Sequence, residues 1–140
     1  MNNLITLILG LFISLSSYVK EKTPTTPVNN PVDTSIATNR LNGTFNNGPY
    51  GSVNGTAKIY FQNNQYILAL GNFNSSNGPD LHVYISKEAK PVNFIDLRKL
   101  QSISGNEQYP ITCTINFSEY KFALIHYQQY NHLFGNAELK

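Results

Sequence analysis

Three histidines, one cysteine and a few scattered carboxylates are the groups with chemistry to offer in this sequence. His126 and His132 lie six residues apart, a spacing that lets two side chains meet across the end of a strand. With Cys113 they supply the donor types of a copper centre, which wants two His, one Cys and a weak axial Met, Gln or backbone oxygen. The only methionine is Met1. There is no Cys-x-x-Cys-His haem attachment and no His-Glu-x-x-His zinc motif. Scattered histidines in a β-rich chain are more often half-buried polar groups, and His82, His126 and His132 stand open to either reading. Cys113 alternates with Ile111 and Ile115, which predicts a strand face on which the thiol packs as a small hydrophobe. An unpaired cysteine in an exported chain also offers a link between two copies.

Gly78-Pro79-Asp80 is the second constellation. Proline fixes φ near −65° and Asp hydrogen-bonds nearby backbone, so the trio makes a rigid turn into a strand. The functional alternative is an Asp80 carboxylate at a loop tip, facing a cation or ligand. Hydrolysis finds no support: there is no Gly-x-Ser-x-Gly elbow, and Asp80, Glu88, Asp96, Glu107 and Glu119 show no paired spacing. The sequence predicts a non-enzyme. Asn42, Asn54, Asn74 and Asn116 head glycosylation triplets, which so Asn-rich a chain produces by chance.

The elements that must hold these residues read as strands. Residues 55–62 and 65–72 are β-rich and joined by Asn63-Asn64, a pair suited to a two-residue hairpin turn. In residues 81–86, Leu81, Val83 and Ile85 alternate with His82 and Tyr84. Residues 94–97, 109–114 and 122–127 complete the set, and no stretch keeps a 3.6-residue period over helical length. Tyr120, at the head of a strand, is placed to lock a corner by bonding back to upstream backbone. The expectation is all-β: a single antiparallel β-sandwich or barrel-like domain.

Composition narrows the classes further. The chain has 140 residues, enough for one domain, and is 41% hydrophobic but only 13% charged. From Asn39 onward eight Lys/Arg face six Asp/Glu, and the only basic near-cluster is Arg98-Lys99. Nucleic acid is therefore not an expected partner. One cysteine excludes an intramolecular disulfide framework. Residues 4–15 form an apolar run too short to span a bilayer but of signal-peptide length, with Ser14-Leu15-Ser16 at its end as a small-x-small site. Leu15-Ser16-Ser17 begins like a lipoprotein cleavage motif, yet Tyr18 has no thiol to lipidate. The expected organisation is a signal peptide or N-terminal anchor over 1–17, a flexible Pro/Thr/Asn-rich linker over 18–38 and a β domain over 39–140.

Several motifs, in order, resemble the DM-thirteen domain, also called the electron-transfer or Skeletor-type domain. They are Gly43-Thr-Phe45, Val53-Asn-Gly55-Thr56-Ala57, Gly71-Asn-Phe73, Gly78-Pro-Asp-Leu81 with Val83-Tyr84-Ile85, Ile95-Asp-Leu97, Gly105-Asn with Tyr109-Pro-Ile111, and the close from Tyr120 through Phe134-Gly135 to Leu139. The resemblance implies an extracytoplasmic sandwich-like domain with a proposed redox role for one cysteine in its last strand. That cysteine would fall at Tyr127, after His126, and Cys113 is not the same position.

Together these point to an exported, non-enzymatic binding or adhesion-type module of the cell envelope, with an envelope protein or a glycan as partner. Its expected place is the periplasm, the outer surface or the medium, with membrane attachment only through an uncleaved N-terminal segment. The candidate binding residues are Pro79, Asp80, His82, His126, Tyr127 and His132. The alternative is a redox domain carrying haem or copper, with Cys113 as its redox candidate.

Overall fold

The computed structural model describes residues 22–140, so the expected signal segment lies outside the described residues. Nine strands and no helix make up this part of the chain: β1 Val28–Asn29, β2 Thr38–Asn47, β3 Val53–Gln62, β4 Gln65–Ser75, β5 Leu81–Ser86, β6 Phe94–Lys99, β7 Ser104–Ile111, β8 Phe122–Tyr127 and β9 His132–Glu138. They form one sheet in the order β1-β7-β4-β3-β2-β9-β8-β5-β6, curled into a half-barrel. The all-β expectation holds. Every pairing between neighbours is antiparallel except β1 with β7, which is parallel.

The curl comes from β2. Its first part pairs with β3, and Phe45, Asn46 and Asn47 then pair with Ala137, Asn136 and Gly135 of β9. One strand thus serves both halves of the sheet, and its bulge near Arg40 is the usual device for bending a strand. The inner faces meet over Ala57, Ile59, Leu68, Leu70, Leu81, Val83, Ile85, Ala123 and Ile125, all fully or almost fully buried. Burying each of the larger aliphatic side chains contributes about 1.5–3 kcal/mol. At the open side β6 approaches β7, and the Arg98 guanidinium lies 5.6 Å from the centre of the Tyr109 ring.

Tight connections follow from residues that tolerate positive φ. Asn63 and Asn64 both sit there, at 49° and 60°, which is the hairpin geometry that the sequence predicts. Asn72, Asp80, Asn93 and Asn131 complete the non-glycine set, so five of these six positions are Asn. Part of the asparagine abundance therefore has a backbone reason.

Two expectations are corrected. β7 ends at Ile111, so Cys113 has left the sheet and is exposed rather than packed beside Ile111. The Pro-rich stretch is also not free of the domain over the described residues. Lys22 bridges Pro79, the Thr23 hydroxyl donates to Gly78 O at 2.9 Å, and Pro24 O accepts from Ile103 N–H at 3.0 Å. β1 then pairs with Gly105-Asn106, where a glycine is required: φ is +118°, and a Cβ would lie 1.9 Å from Val28 O. Low hydrophobicity predicts an unpacked spacer, but backbone hydrogen bonds to a sheet edge need no apolar side chains. Tyr120 packs at the edge of the core with Lys87 Nζ 5.3 Å from its ring centre.

Candidate functional site

Five of the six sequence-derived binding residues gather at one end of the sheet, where β5 begins and β8 ends. Register explains it: Leu81 pairs with Tyr127 and His82 with His126, while Tyr127 pairs with His132 at the start of β9. The sixth, Pro79, stands two residues before β5 and bridges Lys22. Cys113 belongs elsewhere, in a cleft of about 670 Å³ beside Phe61, Tyr66 and Ile115. That cleft adjoins the start of β4, whereas the chain enters the candidate site from β4's far end.

The site has two sides. All six residues of β5 are buried, the outward-facing His82, Tyr84 and Ser86 as well as the core-facing Leu81, Val83 and Ile85. His82 lies between two carboxylates, with Nε2 3.1 Å from Asp80 Oδ1 and Nδ1 3.0 and 2.9 Å from the two oxygens of Asp96. Carboxylate oxygens only accept, so both contacts are hydrogen bonds in the ring that carries a hydrogen on each nitrogen. Tyr84 stacks on Phe94 at 4.3 Å and tilts against His126 at 5.2 Å. Its hydroxyl is buried without a hydrogen-bond partner, and burial, followed by Asp96 and Asp80, pushes the phenol up to about 12. His126 Nε2 donates to Asn131 Oδ1 at 3.0 Å, leaving Nδ1 buried and unpartnered. Burial lowers the His126 pKa, with His132 and His82 adding to the effect and the Asn131 bond opposing it.

The other side is aromatic. Tyr50, in the turn between β2 and β3, stacks on His132 with centroids 3.8 Å apart and planes at 8°. Tyr130 lies 6.0 Å from His132 and 5.2 Å from Tyr127. Tyr127 itself is buried, but Tyr50 and Tyr130 remain 56% and 61% exposed. The turn is tied down, because Gly48 N–H donates to Phe134 O at 2.7 Å and Tyr50 N–H to Leu133 O at 3.2 Å. Gly51 permits this seating, since a Cβ there would come within 2.6 Å of the Phe134 ring.

The copper donor set of two His and one Cys is not assembled among the described residues. His126 faces Tyr84 and Asn131, His132 faces tyrosines, and Cys113 is remote from both. The two carboxylates beside His82 approach different nitrogens of one ring, so the three do not converge on a common point. No group of three or more His, Cys, Asp or Glu suited to a metal occurs among the described residues. What the geometry offers instead is a clamped ionic cluster beside a half-exposed aromatic surface.

Tyr84, Asp96, Asn131, Tyr50 and Tyr130 are the members that the sequence reading did not single out. The alternation in residues 81–86 already places Tyr84 beside His82, so that one was accessible. Tyr50 carried no signal, because it lies in a turn between Pro49 and Gly51 and meets His132 only through the β2–β9 pairing.

No curated protein and no solved structure matches this chain. The family model described as "Electron transfer DM13" matches residues 44–139, and with more than half of its length covered in this way the chain belongs to the DM13 family.

Proposed function

We propose that this protein is an exported, non-enzymatic binding module of the cell envelope that engages its partner through the end of the domain where β5 begins and β8 ends. The observation behind this reading is the pair of exposed tyrosines, Tyr50 and Tyr130, grouped around His132 next to Tyr127. By the family resemblance Tyr127 stands where the proposed redox cysteine belongs, and a buried phenol does not replace a thiol in exchange chemistry. Export is supported by the leader-like residues 4–15. Co-sedimentation with isolated wall and membrane fractions tests the module. Retention should fall at least fivefold in the Tyr50→Ala/Tyr130→Ala double variant, and retention indifferent to that change overturns the reading.

The second reading, electron transfer with haem or copper, is favoured by the family description. An ultraviolet–visible spectrum of the full chain after incubation with haem or Cu(II) separates the two. A stoichiometric Soret or charge-transfer band that disappears in His126→Ala or His132→Ala would replace the binding module with a redox domain. A featureless spectrum sends the search to partners.

A further inference from the structure

We propose that Tyr50, His132 and Tyr130 form a platform for the flat face of a sugar ring, so that the ligand is a neutral glycan. This rests on the binding-module reading above and names the ligand class for it.

Three observations lead there. The first is exposure. Large aromatic side chains cluster in interiors, yet Tyr50 and Tyr130 are more than half exposed while in contact with the same His132 ring system. Grouped exposed aromatics mark a surface built for contact, unlike single ones. The second is rigidity. Tyr50 is fixed by the Leu133 carbonyl, one residue from His132, and Tyr130 packs edge-on against buried Tyr127. A surface already held in its binding geometry loses little side-chain entropy when a ligand arrives.

The third is charge. The two segments that build the platform, residues 41–57 and 122–137, contain no Asp, Glu, Lys or Arg. Single-stranded nucleic acid would stack on such rings, but it needs cations along its phosphates. Acidic glycans need the same. Polyproline ligands dock in aromatic-lined grooves, whereas Tyr50 stacks over His132 at 3.8 Å with planes at 8°, so His132 backs the half-exposed Tyr50 ring and the flat face on offer is that of Tyr50. A pyranose offers a flat C–H face to the rings and hydroxyls to amide groups. Exposed Gln128 and Gln129 stand next to Tyr130 to meet them.

The test is affinity electrophoresis of the full chain in native gels containing hydroxyethylcellulose, xylan, laminarin or dextran. Decaproline and heparin serve as the competing probes. Because the chain has no Trp, its emission comes from its nine tyrosines, and a ligand-induced change that is lost in Tyr50→Ala or Tyr130→Ala reports ring contact at the platform. The expected result is retardation by at least one neutral polysaccharide with a change in tyrosine emission. Affinity should fall at least tenfold in Tyr50→Ala and in Tyr130→Ala, and stay within twofold in Ile36→Ala, an exposed apolar residue outside the platform. Circular dichroism confirms that each variant is folded. Retardation by none of the four polysaccharides, or retardation that survives the double variant, overturns the proposal. Tyrosine-dependent binding of decaproline or heparin alone overturns the glycan and leaves the module standing. Tyrosine-independent retention on envelope fractions removes the module itself.

Discussion

Two polar clusters, each centred on a buried ionisable residue, sit on opposite faces of the same curled sheet, and the fold treats them in opposite ways. On the outer face His82 has a carboxylate at each ring nitrogen, so both polar atoms of the buried ring have partners. Inside, Glu107 is fully buried on β7 among core residues. The Tyr109 hydroxyl donates to its Oε2 at 3.4 Å, and Oε1 has no hydrogen-bond partner. The Tyr109 hydroxyl in turn accepts from Gln101 N–H at 2.8 Å. Burial pushes the Glu107 carboxyl up to about 7 against the opposing pull of the Ser102 backbone, Tyr109 and Arg98. A buried charge must be paired or neutralised. The outer cluster pairs, and the inner one is poised to take up a proton.

The largest effect should come from removing the centre of the outer cluster. His82→Ala removes a buried ring and its hydrogen bonds to two carboxylates, and about 3 kcal/mol of stability should be lost in urea unfolding. A loss below about 1 kcal/mol would mean that solvent readily replaces those bonds.

Next comes the inner cluster, read through pH. The folded-state pKa of Glu107 is raised, so its contribution is fully present below about 4.5 and is lost as pH rises through about 7. Stability attributable to this group should fall by about 2–3 kcal/mol between pH 5 and pH 8. Glu107→Gln should flatten that part of the profile, and an unchanged slope in the variant would sink the assignment.

Smaller still is Tyr84→Phe, which deletes a buried hydroxyl without a partner. It should stabilise by about 1 kcal/mol, seen as a raised Tm. A destabilised variant would show that the hydroxyl is satisfied in solution. Least of all, Lys99→Ala should cost under about 0.5 kcal/mol, because Lys99 is 77% exposed and its Nζ is 3.6 Å from Asp80. Sensitivity of this variant to added salt would separate screening from structure.

The same contrast governs what the sequence discloses. β3, β4, β5 and β8 are legible because their apolar runs and alternation match buried positions, and β6 because Ile95 and Leu97 alternate with exposed neighbours. β2 and β9 are not, since stretches such as Asn42-Gly-Thr-Phe-Asn-Asn47 have weak strand preference. They become strands by pairing with each other and with their outer neighbours. Cys113 was misplaced because the Ile111-x-Cys-x-Ile115 alternation continues past the point where β7 stops. His82, His126 and His132 could be named from residue type alone. That His82 sits between Asp80 and Asp96, and His132 under Tyr50, depends on register and on one turn, neither of which leaves a local signal.

The docking of residues 22–30 also has a mechanical meaning. Tension applied to the chain ahead of Lys22 meets its attachments in sequence order. The Lys22–Pro79 bridge and the Thr23 bonds to Gly78 take the load first, and the parallel β1–β7 pair takes it only after them. The first part of the domain to feel a pull is therefore the turn at the head of β5, two residues from the His82 cluster, while the core strands behind it are the last to bear load.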